Sequence, residues 1–373
     1  MSKVMVTGGA GFIGSHLVDK LIEIGNEVVV VDSLEEQVHT KKPDYLNPKA
    51  QYLFEDIRDE GVLANAIDDV EVIFHEAAAV GVGQSMYQVE KYVDVNTMAT
   101  AKLLDILVNK EHNVKKLIVA SSMSIYGEGA YECGDCGVVY PELRTEEQLK
   151  QREWEMKCPS CSKTVNPIQT SEDKPLHPTS IYAITKRDQE EMCLTVGRAY
   201  GIPTVALRYF NVYGPRQSLS NPYTGVCAIF ASRIKNNNPP LIFEDGLQSR
   251  DFVSVHDIVE ANILAMESST ANYEVFNIGT GKPINILEIA QMLIGLYNKE
   301  QNLSPEITNK YRAGDIRHCF ADISKMKNKL GYKPKVDFEE GMKELVSWGE
   351  KEEAEDKFEK AHEELMRRGL VEE

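Results

Sequence analysis

The sequence predicts an α/β fold, a Rossmann-type doubly wound parallel sheet with a smaller C-terminal α/β lobe and a small inserted metal-binding module. Three observations predict it. Up to about residue 125, short apolar runs alternate with helical patterns, the signature of βαβ units and a parallel sheet. A glycine-rich loop follows the first run. Four grouped cysteines stand in a polar stretch that interrupts the pattern between residues 130 and 168.

The apolar runs, in order, are VMVTG, EVVVVD, QYLFEDI, VEVIFHEAA and KKLIVASS, and an amphipathic stretch from Gly14 to Ile24 links the first two. Residues 1–129 and 169–210 form the dinucleotide-binding domain on this reading, with later segments returning near 250–265. The segment 130–168, which holds LRTEEQLKQREWEMK between its cysteine pairs, is an inserted module. A helix spans Ser180 to Tyr200, and TVALRYFNVYG is a buried strand running into a loop. A helix at 225–236, a strand pair near PLIFEDGLQSRDFV and helices at 256–267 and 285–298 build most of a lobe over 211–345. The stretch from Phe338 is helix-forming and rich in Glu and Lys, so 346–373 reads as a charged, solvated C-terminal helix.

A chain of 373 residues has room for one large α/β unit and a companion lobe. Its net charge is −17 and its pI near 5.1, which leaves no basic field to attract nucleic acid. The opening residues MSKVMVTGG run straight into a strand, and no apolar run approaches membrane-spanning length. The expectation is a soluble, cytoplasmic protein with no membrane partner. Seven cysteines in such a compartment do not form a disulfide framework. An acidic ligand must then be held by a few arginines and helix N-termini.

Gly8, Gly11 and Gly14 lie between the first strand and the first helix, with Phe12 and Ile13 opening that helix. There backbone amides and the helix dipole meet a pyrophosphate unobstructed. Asp32 ends the next strand, eighteen residues past Gly14; a carboxylate there accepts from both ribose hydroxyls and repels a 2′-phosphate, which favours NAD over NADP. Asp56 and Ile57, at the end of the third strand, are placed either to touch adenine or to serve as an ordinary strand cap.

Tyr182 and Lys186 are four residues apart, on one helix face. An ammonium beside a phenol lowers its pKa and readies it to take a hydroxyl proton as a hydride leaves the adjoining carbon. Ser122, in SSMSIYG at the end of a preceding strand, is placed to share the same oxygen.

At this point the residues resemble the extended short-chain dehydrogenase/reductase family, and within it the nucleotide-sugar epimerases of the UDP-glucose 4-epimerase type. The resemblance runs from residue 1 to about 345, apart from the cysteine segment. It implies that Gly8, Gly11 and Gly14 form the pyrophosphate loop, that Asp32 holds the adenosine ribose, and that Ala77 and Asn96 line the dinucleotide cleft. It implies catalysis by Ser122, Tyr182 and Lys186, the last two also touching the nicotinamide end. Ser124 falls in the substrate pocket by the same resemblance, and Asn211 holds the sugar diphosphate. Arg250, with Arg312 and Asp315 of YRAGD, forms a nucleotide-diphosphate clamp, as two arginines suit a dianion. Cys319 falls where a bulkier residue would narrow the pocket. The implied reaction is 4-epimerisation through a 4-keto sugar with tightly retained NAD, in a homodimer.

Sister dehydratases need an Asp-Glu pair just after the catalytic Ser or Thr; this chain has Met123 and Ser124 there, and Ser124 also replaces the Glu expected of decarboxylases. Epimerisation of a UDP-hexose, UDP-N-acetylhexosamine or UDP-hexuronate is therefore favoured. A related keto-sugar oxidoreductase or 4,6-dehydratase is the alternative, and a non-catalytic dinucleotide sensor the remote one.

Cys133 and Cys136, then twenty-one residues, then Cys158 and Cys161 is zinc-ribbon spacing, and four thiolates leave no open position, so the zinc is structural. Two local disulfides or free thiols are the alternatives. A zinc-ribbon nucleic-acid adaptor is opposed by Glu142, Glu146, Glu147, Glu153 and Glu155 around the cysteines. The segment departs from the family spacing between Tyr126 and Tyr182, and a substrate lid or an oligomer contact is its expected role. Cys193, Cys227 and Cys319 read as buried or pocket residues rather than ligands, and His75 and His256 as structural or cofactor-adjacent.

Overall fold

The computed structural model describes residues 2–312 and 314–372; Met1, Ala313 and Glu373 lie outside it. The first five strands are β1 (Lys3–Thr7), β2 (Glu27–Val31), β3 (Gln51–Leu53), β4 (Val72–His75) and β5 (Lys116–Ser122). The inserted segment carries β6 (Ala130–Cys133), β7 (Gly137–Val139) and β8 (Asn166–Ile168). Then follow β9 (Thr204–Tyr209), β10 (Asn211–Tyr213), β11 (Leu241–Ile242), β12 (Ser249–Ser254) and β13 (Val275–Ile278). The last are β14 (Pro283–Asn285), β15 (Glu306–Ile307), β16 (Tyr311–Arg312), β17 (His318–Cys319) and β18 (Val371–Glu372).

Seven of these make one sheet in the order β13-β9-β5-β4-β1-β2-β3, and every pairing in it is parallel. Alternate residues of a strand face opposite ways, so β1 feeds two cores. Val4 and Val6 meet Leu17, Val18 and Leu21 of helix Phe12–Glu23 and Ile258 of helix Val255–Glu267. Met5 faces Leu103 and Leu107 of helix Ala99–Asn109 and Leu194 of helix Ile181–Tyr200. Each such fully buried side chain contributes about 1.5–3 kcal/mol. The helix-covered faces explain why these strands read as unbroken apolar runs rather than alternating ones. The strand order reverses beside β1, and ligands bind in the crevice at such a switch point, past the carboxyl ends of the strands.

The helix carrying Tyr182 starts where Ser180 accepts a hydrogen bond from the Ala183 amide at 3.1 Å and stops at Gly201 in the left-handed conformation, a standard pair of end signals. The second lobe centres on a four-stranded sheet of β10, β12, β14 and β17. Helices Val226–Lys235, Ile286–Leu296 and Phe338–Gly349 share a core there through Phe230, Leu293 and Leu345.

Three expectations change. The apolar run at 204–213 is two strands in different sheets, broken at Phe210. The strands near PLIFEDGLQSRDFV do not pair with each other: β11 pairs with β15, and β12 with β10, β14 and β17. The charged C-terminal stretch is two helices, Phe338–Gly349 and Phe358–Arg367, followed by β18. Its second helix buries Phe358, Ala361 and Leu365, an apolar stripe at i, i+3 and i+7. The strand that returns to the main sheet is β13, while helix Val255–Glu267 covers that sheet's face.

Candidate active site

A cleft of about 640 Å³ opens past β1, β4 and β5 and runs on to the second lobe. Gly8, Gly11, Phe12, Ile13, Gly14, Asp32, Asp56, Ile57 and Ala77 all line it. Gly8 has φ +70°, and a Cβ there would sit 2.8 Å from the Ala77 Cα; a Cβ on Gly14 would sit 2.3 Å from the Gly8 carbonyl oxygen. Side chains at either position would break the loop, so the glycines create a cradle a pyrophosphate fits. Asp32 accepts from the Ala10 amide at 2.9 Å and the Leu34 amide at 2.8 Å, one on each oxygen. Those bonds orient the carboxylate and leave lone pairs for ribose hydroxyls. Asp56 is bound by Arg58 at 2.6 Å, which holds its carboxyl below the usual range.

Ser122, Ser124, Tyr182 and Lys186 line the same cleft. The Ser124 hydroxyl donates to Ser122 Oγ at 2.9 Å, and Ser122 is close enough to Tyr182 to act on its phenol. Burial pushes the Tyr182 phenol above its ordinary value, opposed by Ser122. Burial also lowers Lys186 to about 8, and its Nζ donates to Gln189 Oε1 at 2.8 Å. The expected depression of the phenol by the Lys186 ammonium is not found: burial sets the direction of the shift, and Ser122 alone opposes it.

Beneath this set, Thr7 and Thr100 hold His75 at 2.9 and 2.8 Å, and burial drops its pKa to about 3. The Thr100 hydroxyl donates to the Asn96 carbonyl, so it accepts from His75 Nε2, which fixes the neutral ring as a structural strut. Asn96 corrects the reading of it as a cleft residue. It is fully buried and absent from the lining; its amide clamps Ala79 at 2.7 and 3.1 Å and reaches Thr185 at 3.0 Å. These bonds tie the Ala77–Ala79 loop to the helix Ile181–Tyr200.

At the far end Asn211, Arg250, Arg312 and Asp315 line the same cleft. Asn211 Oδ1 is buried with no hydrogen-bond partner, an acceptor waiting for a donor. Arg250 is aimed by its bonds to the carbonyls of Ser249, Arg317 and Ile316 at 2.8, 2.9 and 2.6 Å. The Arg312 guanidinium lies 4.1 Å from the centre of the Phe243 ring. Cys319 is buried and is not itself in the lining; it packs with Tyr126 and against Met123 and Phe210, which do line the cleft. Its backbone partner in register, Arg250, is the residue that faces the cleft.

Sequence reasoning missed two parts of this surface. Glu76, beside Ala77 in the lining, takes a hydrogen bond from the Tyr209 hydroxyl at 2.8 Å and is raised to about 7 by burial. The helix Phe358–Arg367 contributes Phe358, Ala361, His362 and Leu365; its apolar stripe was the available signal. No residue of 130–168 lines the cleft, so the insertion is not a lid over it. There β6, β7 and β8 form a small antiparallel sheet. The sulfurs of Cys133, Cys136, Cys158 and Cys161 all lie within 4.8 Å of one another. A tetrahedral four-thiolate zinc has sulfurs about 3.8 Å apart, given Zn–S bonds of about 2.3 Å, so the cluster fits such an ion.

Fold and cleft together are of the Rossmann-type dinucleotide-binding class. The family model described as NAD dependent epimerase/dehydratase family matches residues 4–147, and that described as GDP-mannose 4,6 dehydratase matches 163–345. Among curated relatives, the dTDP-L-rhamnose 4-epimerase of Burkholderia thailandensis is 34% identical over 93% of this chain and 94% of its own. Among solved structures, the UDP-glucose 4-epimerase of Thermotoga maritima with UDP-glucose is 34% identical with a TM-score of 0.75, covering 94% of this chain and 99% of its own. The UDP-glucuronic acid 4-epimerase of Bacillus cereus, in complex with UDP-glucuronic acid and NAD, is 29% identical with a TM-score of 0.75, covering 93% and 99%. The chain belongs to the NAD-dependent epimerase/dehydratase family and is an enzyme of the nucleotide-sugar epimerase kind.

Proposed function

We propose that the protein inverts C4 of a UDP-hexose, UDP-N-acetylhexosamine or UDP-hexuronate. The observation that carries this reading is that the Ser122, Tyr182 and Lys186 set, the glycine cradle and Asn211, Arg250 and Arg312 all line one cleft. Gly8, Gly11, Gly14 and Asp32 would hold NAD, which when bound takes a hydride from the sugar carbon and returns it. Tyr182 takes the proton from the C4 hydroxyl as the carbon is oxidised to a ketone, and gives it back on reduction. Ser122 holds the same oxygen through both steps. Lys186 keeps a positive charge beside the developing phenolate. Asn211 and the arginines grip the diphosphate while the sugar turns to present its other face. Met123 and Ser124, after Ser122, supply no carboxyl for eliminating water.

A second reading, 4,6-dehydration, draws on the match of residues 163–345 to the dehydratase model. One experiment separates them. Purified protein is incubated with UDP-glucose, UDP-N-acetylglucosamine and UDP-glucuronate in turn, with no added cofactor, and followed by proton NMR. A C4-inverted sugar is the expected product, with retained NAD; a C6 methyl signal selects dehydration; and conversion of none overturns the UDP-sugar assignment. The four cysteines are assigned one structural zinc, and metal analysis is expected to find about one zinc per chain.

A further inference from the structure

The insertion grips the segment that carries the diphosphate clamp. Arg144 donates to both oxygens of Glu244 at 2.8 and 2.7 Å and to the Asp315 carbonyl at 3.2 Å. Glu155 accepts from Arg317 at 2.6 Å and meets His318 at 3.2 Å. Arg317, fully buried, also binds Glu244 and Asp245. Trp154 packs on Tyr311, their ring centres 6.4 Å apart. Among its described residues the clamp segment has only the two-residue strands β16 and β17 of its own, so its shape is set largely by what it leans on.

The module itself has a core of six buried residues: Tyr131, Cys133, Val139, Met156, Cys158 and Val165. A core that small does not hold itself together without a staple. The cysteine cluster is that staple, and Glu155 stands three residues before its second knuckle.

We propose that the cysteine module is a brace that positions the clamp, with Arg144 and Glu155 as its positioning residues, so that metal loading sets affinity for the nucleoside diphosphate. The inference rests on the clamp reading given above. Metal occupancy changes binding at the Arg250 and Arg312 end and leaves the glycine cradle as it was.

The test titrates the full-length protein with UDP and with dTDP by calorimetry, as purified, after chelation under reducing conditions, and after zinc reloading. Retained dinucleotide is measured in each sample. Stripping is expected to weaken diphosphate binding about tenfold or more, the effect of misplacing one charge-assisted hydrogen bond; zinc restores it, and dinucleotide content does not move. Arg144→Lys, which keeps the charge but not the fork, is expected to raise KM for the nucleotide sugar about tenfold with kcat within about twofold. Unchanged affinity in protein whose four thiols titrate as free overturns the brace, as does an Arg144→Lys variant with wild-type KM. If the intact protein binds neither diphosphate, the clamp reading itself is wrong and the brace falls with it.

Discussion

At the residue scale, the proposed chemistry turns on Tyr182. Tyr182→Phe keeps the packing and removes the proton acceptor; turnover is expected to fall by about 10²–10⁴-fold, with dinucleotide content unchanged in the spectrum of the denatured protein. Lys186 has a folded pKa near 8, so its positive charge is present below that pH and lost as pH rises through it. Turnover is expected to decline above about pH 8, and Lys186→Arg, which stays charged, is expected to lose that alkaline limb even where its absolute rate is lower. His75 acts on stability instead. Its folded pKa of about 3 lies below the ordinary 6.5, so between those values the unfolded chain binds a proton that the folded one does not. Stability is then full above pH 6.5 and falls as pH drops toward 3; urea midpoints measured across that range should decline, and less steeply in His75→Asn. That the glycines, Asp32 and the Tyr182/Lys186 pair share one cleft was legible, because their spacing from strand ends and along a helix fixes where they fall. The placement of Asn96 and Cys319 was not, since which way a side chain points depends on strand and helix neighbours that no local pattern names.

At the scale of elements, the strand, loop and helix at the N-terminus act as one device. Gly14→Ala places a methyl 2.3 Å from the Gly8 carbonyl oxygen, which the loop can relieve only by opening. Loss of retained dinucleotide is expected, while far-UV circular dichroism stays close to wild type; a variant that keeps its dinucleotide would remove the cradle from the argument. The periodicity of the first 125 residues made this region readable, because a sheet covered on both faces leaves long apolar runs. The second lobe was less readable. Its strands are two to six residues long and pair with distant segments, as β12 does with β17 and β18 with β16. The C-terminal helix was misjudged because charge outnumbers its apolar stripe, although that stripe meets Phe243 in a buried cluster.

For the whole molecule, the cleft joins two lobes, and its far end is held from two directions. The cysteine module supports Tyr311 and Asp315, while β18 lies antiparallel to β16, Arg312 opposite Val371. The sequence showed each of these segments but not that they converge, since convergence is a property of long-range packing. The module's position between β5 and the catalytic helix also bears on how the chain folds. Ser122 and Tyr182 must find each other across a long stretch, and each doubling of a flexible loop costs about 0.6 kcal/mol of closure entropy. In the folded module, Ala130 lies opposite Ile168, so the two ends of the insertion are brought side by side and the loop to be closed is short. Thiolate–metal bonds that form early would deliver the catalytic helix to its strand with much of the search already done. Refolding from denaturant is therefore expected to regain activity faster with zinc present than with chelator, and equal rates would show that the module assembles only after the active site has closed.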